Sequence, residues 1–169
     1  MNKKVLLMVQ TALFTSLIFV FTRFISVPVV SGYVHFGDAL VYICALIIGG
    51  PYAVFAAAFG QALADISYGF VNYAIATLLI KSIIAIIFAF AGRNSKKLLT
   101  KTSLLLTIPA GVIQIGGYFL ADLLIDRAYA FVDIAGNVIQ AAGSAVVFAV
   151  FAFALDRLNA KEKFFNIKD

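Results

Sequence analysis

The chain has 169 residues, 63% of them hydrophobic and only 12% charged, with a mean hydropathy of +1.04. A soluble domain is about half apolar and a quarter charged, so this composition excludes one: too few charged side chains remain to cover a water-facing surface. The formal net charge is +5 and the pI near 9.4, yet the basic residues are spread between apolar runs with no recognition module, which argues for a lipid bilayer and against a nucleic-acid partner.

At roughly 20 residues per crossing, the chain accommodates six spans and no separate soluble domain, so 1–169 reads as a single membrane domain. Span one is expected at 5–25. Met1-Asn2-Lys3-Lys4 leads into an apolar run too long for a cleavable signal peptide, and no small-residue cleavage site follows it. Ala12 and Ser16, four apart on this span, make a small-residue face that a second helix can approach closely. Span two, expected at 34–48, is short for a full crossing; it opens on Tyr33-Val34-His35-Phe36-Gly37-Asp38 and carries the single cysteine, Cys44, as a packed hydrophobe. Gly49-Gly50-Pro51 is a turn signal, and span three follows at 52–69 with Ala56, Gly60 and Ala64 at small-residue spacing. Gly69 and Asn72 bracket the next turn before span four at 73–91. The 93–101 linker is the longest polar one. Span five, at 103–125, contains Pro109, which can kink it. Asp126 and Arg127 mark the last turn before span six at 132–155. Backbone in lipid must satisfy its own hydrogen bonds, and no period-two alternation suggests a barrel. The expected fold is therefore an all-α integral membrane protein, a bundle of six transmembrane helices.

Charge orients this bundle. Lys3 and Lys4 precede span one, Arg93, Lys96, Lys97 and Lys101 follow span four, and Arg157, Lys161, Lys163 and Lys168 follow span six. An even number of crossings puts all three groups on one side, which the positive-inside rule makes cytoplasmic. The expected location is the cell membrane, with both termini in the cytoplasm.

Polar residues recur on one face of each later span, since positions i, i+4 and i+8 share a stripe. Span three carries Gln61, Asp65 and Tyr68; span four Tyr73, Thr77 and Lys81; span five Gln114, Tyr118 and Asp122; span six Asn137, Gln140 and Ser144. Each stripe runs from mid-membrane to the outer end, while the inner halves are nearly all apolar. Converging stripes of this kind describe a pocket open to the outside and closed below. Lys81 lies about 12 Å into its span, where insertion costs on the order of 2.5–3.5 kcal/mol. It reads either as part of a ligand pocket or as an ion-pair partner of Asp65 or Asp122. The tyrosines offer stacking faces with polar tips, and Asn137 and Gln140 offer donors and acceptors, a lining suited to a small polar aromatic molecule. Asp126 and Asp133 read as solvated helix ends. His35 is the only histidine, too little for a metal site. No phosphate-binding Gly-rich loop ending in Lys-Ser or Lys-Thr is present, and no histidine lies in a span to activate Ser144. Neither an enzyme nor a cofactor is expected.

These residues resemble the substrate-binding S components of energy-coupling-factor (ECF) vitamin transporters over nearly the whole chain. The features that carry the resemblance are the size and six helices, His35-Phe36-Gly37-Asp38 opening span two, the Gly49-Gly50-Pro51 turn, Ala64-Asp65 with Tyr68-Gly69 ending span three, and Ile80-Lys81 in span four. The subgroup most alike is the one for hydroxymethylpyrimidine, pyridoxine or riboflavin. The resemblance implies a protein that captures a water-soluble vitamin outside and is worked by a transmembrane coupling subunit and two ATPases. It also implies a coupling role for span one, where the family has Ala-xxx-Ala and this chain has Ala12-Leu13-Phe14-Thr15-Ser16. Candidate substrate-binding residues are Lys81, Asp65, Tyr73, Gln114, Tyr118, Asp122, Asn137, Gln140, His35 and Asp38; candidate partner-docking residues are Ala12 and Ser16. Two other readings are a stand-alone proton-coupled secondary transporter, with Lys81 and Asp65 or Asp122 as a relay, and a purely structural membrane subunit. No internal similarity between 1–91 and 92–169 supports an inverted repeat.

The orientation is directly testable. A membrane-impermeant thiol reagent applied to intact cells should miss a cysteine placed at Ser95 and label one placed at Arg127; the reverse pattern would overturn the six-span topology.

Overall fold

The computed structural model describes residues 2–29, 32–92 and 94–166. Arg93 and Lys168, two of the basic residues assigned above to the inner side, lie outside the described residues. Helix α1 is Lys3–Arg23, started by Asn2, whose side chain accepts from the Lys4 N–H. The chain then leaves the helix for two short antiparallel strands, β1 (Ser26–Val29) and β2 (Gly32–His35), with Ser26 opposite His35 and Val27 opposite Val34. This hairpin replaces the expected start of span two and is the one departure from helix among the described elements. Its sequence explains it: Val27 and Val34 favour extended backbone, and Pro28, which cannot donate, is tolerated because each strand of a two-stranded sheet has a free edge.

Helix α2, Gly37–Ile47, has only 11 residues, and every one is buried. At 1.5 Å per residue it spans about 16 Å, roughly half of a hydrocarbon core of about 30 Å. The residues placed in span two thus form a short internal helix, enclosed by α1 and by three helices that follow: α3 (Gly50–Tyr68), α4 (Ala74–Gly92) and α7 (Arg127–Arg157). The turn from α2 into α3 requires Gly49 at φ 66° and Gly50 at φ 60°, with Pro51 in the first helical turn, backbone that glycine adopts without a Cβ penalty. The face Ala56, Gly60, Ala64 packs internally: a Cβ at Gly60 would meet Ile18 Cγ2 at 2.8 Å and the Thr15 carbonyl oxygen at 3.0 Å. Ala12 and Ser16, on another side of α1, are exposed.

A 3₁₀ turn, Val71–Tyr73, precedes α4. The expected fifth span is divided into α5 (Lys101–Leu105) and α6 (Thr107–Ile125), with the break at Leu106. Pro109 accounts for it, since its missing N–H is the one that would have bonded the Leu105 carbonyl. The kink therefore falls near the start of the span. Helix α7 has 31 residues, about 46 Å, and begins well before the expected residue 132 because Asp126 caps it, its side chain accepting from the Ala128 N–H. A short α8, Ala160–Asn166, follows. Among the described residues, four segments are long and apolar enough to cross a membrane: Lys4–Arg23, Val71–Gly92, Lys101–Ile125 and Arg127–Arg157. The protein is a multi-pass, predominantly helical membrane protein.

One end of the bundle is tied together by backbone contacts. The Asp156 carboxylate accepts from the N–H groups of Leu98 and Leu99 at 2.8 and 2.9 Å, Lys161 Nζ donates to the Gly92 carbonyl at 2.7 Å, and Gln10 Nε2 donates to the Phe164 carbonyl. Between this end and the hairpin lies an aromatic plug: Tyr42 stacks on Phe88 at 4.3 Å, and Phe148 meets both edge-on.

Candidate functional site

Above that plug, five helices deliver polar side chains to one level. The centre is Asp38, in the first turn of α2, where the helix dipole favours an acid. Its Oδ1 accepts from Lys81 Nζ of α4 at 2.6 Å and from Gln61 Nε2 of α3 at 2.7 Å; its Oδ2 accepts from Gln140 Nε2 of α7 at 2.7 Å. Lys81 also donates to Gln114 Oε1 of α6 at 2.7 Å. Asp38 and Lys81 are each 1% exposed. The ion-pair partner of Lys81 is therefore Asp38, not Asp65 or Asp122 as the helical stripes suggested. Periodicity along a helix gives depth but not which neighbouring helix a side chain faces.

A second network sits beside the first. Asp65 Oδ1 accepts from the Tyr33 hydroxyl and Oδ2 from Thr77 Oγ1, both at 2.5 Å, and Thr77 Oγ1 lies 2.9 Å from the Tyr118 hydroxyl. Because the Thr77 proton is committed to Asp65, Tyr118 is the donor in that last bond. The hairpin is also tied to the helices at its base, where His35 lies opposite Ser26: the His35 N–H donates to Gln140 Oε1 at 2.7 Å, and Gln140 Nε2 donates back to the His35 carbonyl at 2.8 Å. The His35 Nδ1 accepts from the Gly37 N–H at 3.2 Å, which puts the ring proton on Nε2 and makes the imidazole neutral. The Tyr33 hydroxyl acts toward Asp65 as a donor. At the base of the hairpin the Tyr68 hydroxyl donates to the Arg23 carbonyl and accepts from Ser26 Oγ, with the Arg23 guanidinium over its ring.

Between these networks lies a cavity of about 490 Å³, inside the 300–1,000 Å³ range of small-molecule sites. Of the residues singled out in the sequence, His35, Asp65, Tyr73, Lys81, Gln114, Tyr118, Asn137 and Gln140 line it. Asp38 does not; it lies behind Lys81. Asp122 does not either; its Oδ1 accepts from the Tyr73 hydroxyl at 2.7 Å. Tyr33, Phe70 and Tyr129 add aromatic walls, and Asp126 and Asp133 line the same cavity. Asp126 is an exposed helix end, as expected, and stands at the cavity mouth; Asp133, read the same way, is half-buried one to two turns into α7. Tyr33 was passed over because it precedes any span. Gln114 is 1% exposed, and with Oε1 committed to Lys81 its Nε2 meets no hydrogen-bond partner among the described residues. Among the described residues no group of three or more His, Cys, Asp or Glu side chains is placed to hold a metal ion.

A multi-pass membrane protein with a polar, aromatic-walled cavity in one half and a packed apolar half below it has the form of a membrane-embedded solute-binding protein. The chain belongs to the family of ECF-type riboflavin transporter S components, whose model matches residues 2–157. It is also 27% identical over 124 residues to an uncharacterized protein in a gap 3′ region of Pyrococcus woesei, covering 73% of this chain and 82% of that protein.

The buried pair predicts a particular pattern of stabilities in detergent. Asp38→Asn leaves an uncompensated ammonium and should cost about 3–5 kcal/mol. Asp38→Asn combined with Lys81→Met removes both charges and should cost less than the sum of the single changes by about 0.5–3 kcal/mol. Strictly additive losses in thermal unfolding would show that the two groups do not interact.

Proposed function

We propose that the protein is the vitamin-binding S component of an ECF importer, spanning the cell membrane six times with both termini in the cytoplasm and the cavity open to the outside. The gathering of the α1 start, the α4–α5 connection and the C-terminal segment at the end away from the cavity supports this orientation. On this reading α2 and α3 make the second and third passes, α2 lengthened by the hairpin above it. A coupling subunit and two ATPases supply the energy.

The observation that carries the ligand reading is Gln114 Nε2, a buried donor without a partner on the cavity wall. A buried donor left unmade costs about 1–3 kcal/mol, and a heterocyclic carbonyl or ring nitrogen would satisfy it. Tyr33, Phe70, Tyr73, Tyr118 and Tyr129 supply ring faces. A cavity of about 490 Å³ is roomy for the single ring of pyridoxine or hydroxymethylpyrimidine, and with the family's description it puts riboflavin first among the three. In this reading the ligand contacts are Lys81, Asp65, Tyr73, Gln114, Tyr118, Asn137, Gln140 and His35, with Asp38 holding Lys81 and Asp122 holding Tyr73.

Calorimetry on the detergent-purified protein should detect one site for one of these vitamins. Gln114→Met should weaken it by roughly 3- to 10-fold, the value of a single hydrogen bond. Binding of none of the three by the parent protein would overturn the reading. Coupling is tested separately. Ala12 and Ser16 are exposed on α1, so Ala12→Trp or Ser16→Trp should abolish complex formation and uptake while the isolated protein still binds its vitamin. Survival of both activities in each variant would show that this face meets only lipid. Uptake that persists without the ATPases would favour the proton-coupled transporter instead.

A further inference from the structure

We infer that the cavity admits vitamins in neutral or cationic form and rejects their phosphate esters, with Asp126 and Asp133 as the discriminating residues. The inference rests on the vitamin-binding reading above and adds to it which chemical form is taken. Lys81 is the one basic side chain lining the cavity among the described residues, and its charge is already matched by Asp38 at 2.6 Å. His35, the other nitrogen base on the wall, is neutral, its Nδ1 accepting from the Gly37 N–H. Against these stand three carboxyl groups on the wall, Asp65, Asp126 and Asp133, none in a salt bridge among the described residues. Asp65 receives only the hydroxyls of Tyr33 and Thr77.

A phosphate ester placed anywhere in this cavity would meet no free cation. Deep in the site it faces Asp65 and a lysine already neutralised; near α7 it faces Asp126 and Asp133. Arg127 follows Asp126 in sequence but is exposed and not part of the wall, and Arg23 is held over the Tyr68 ring. The N-terminus of α7, which would otherwise attract an anion, is already occupied by the Asp126 carboxylate accepting from the Ala128 N–H at 3.0 Å. Like charges brought together across an interface are rejected strongly. The unpartnered Gln114 Nε2 is indifferent to this, since it asks only for a neutral acceptor.

The test is calorimetry on the full chain with riboflavin against riboflavin 5′-phosphate, and pyridoxine against pyridoxine 5′-phosphate. These pairs differ only by the ester. The unphosphorylated vitamin should bind at least about tenfold more tightly, and the ratio should shrink as ionic strength rises. Asp126→Asn combined with Asp133→Asn should lower the ratio several-fold. Asparagine retains the helix cap at 126 and an acceptor for Asn137 at 133, so both variants should fold. A phosphate ester that binds as tightly as its parent vitamin, or a ratio unmoved by the double substitution, overturns the inference while leaving the vitamin-binding reading intact. Binding of neither form overturns both.

Discussion

The structure turns on one carboxylate. Asp38 is buried in the first turn of a helix that no water or lipid reaches, and it is tolerated only because α3, α4 and α7 each bring a donor to it. A buried charge is retained when paired and fully hydrogen-bonded and is costly otherwise. The requirement runs in both directions: Lys81 needs Asp38, and Gln140 needs it in order to hold the hairpin. Through Gln114, α6 joins the same set. Helix positions, the closing of the hairpin and the shape of the cavity are therefore not independent features. A shift of α2 along its axis would unpair all of them together.

The division of the bundle into a polar half and an apolar half follows from this level. On one side of Asp38 the side chains are hydroxyls, amides and carboxyls around a cavity. On the other, Tyr42, Phe88 and Phe148 are buried and pack ring against ring. Ring stacking and edge-on packing fill volume efficiently, so a solute in the cavity meets a solid floor. A cavity with such a floor fits the proposed role, a binding chain energised by separate subunits, in a family of transporter S components.

The sequence made some of this legible and not the rest, for identifiable reasons. The long helices α1, α4, α6 and α7 followed from hydropathy, and the glycine-proline turn before α3 from backbone chemistry. Asp65, Tyr73, Lys81, Gln114, Tyr118, Asn137 and Gln140 of the cavity lining followed from stripes at helical spacing. What failed was whatever depends on contacts between segments. The hairpin was hidden because Ser26–Val29 and Gly32–His35 are each four residues long, too short for an alternating pattern to stand out from an apolar run. The true partner of Lys81 was hidden because Asp38 lies 43 positions away on a helix too short to show a stripe. Asp126 and Asp133 read as solvated helix ends; their place on the cavity wall was hidden because the early start of α7 lies outside the expected span.

The brevity of α2 has a consequence for how the protein is made. An 11-residue segment headed by an aspartate is a poor candidate for independent partition into a bilayer, since an isolated span needs about 20 apolar residues and penalises an acid. Its stability in place comes from neighbours, three of which, α3, α4 and α7, are synthesised after it. The carboxylate of Asp38 is therefore matched only in steps, as Gln61, then Lys81 and then Gln140 emerge. Assembly is sequential by necessity, and the last long helix completes the folding of one of the first.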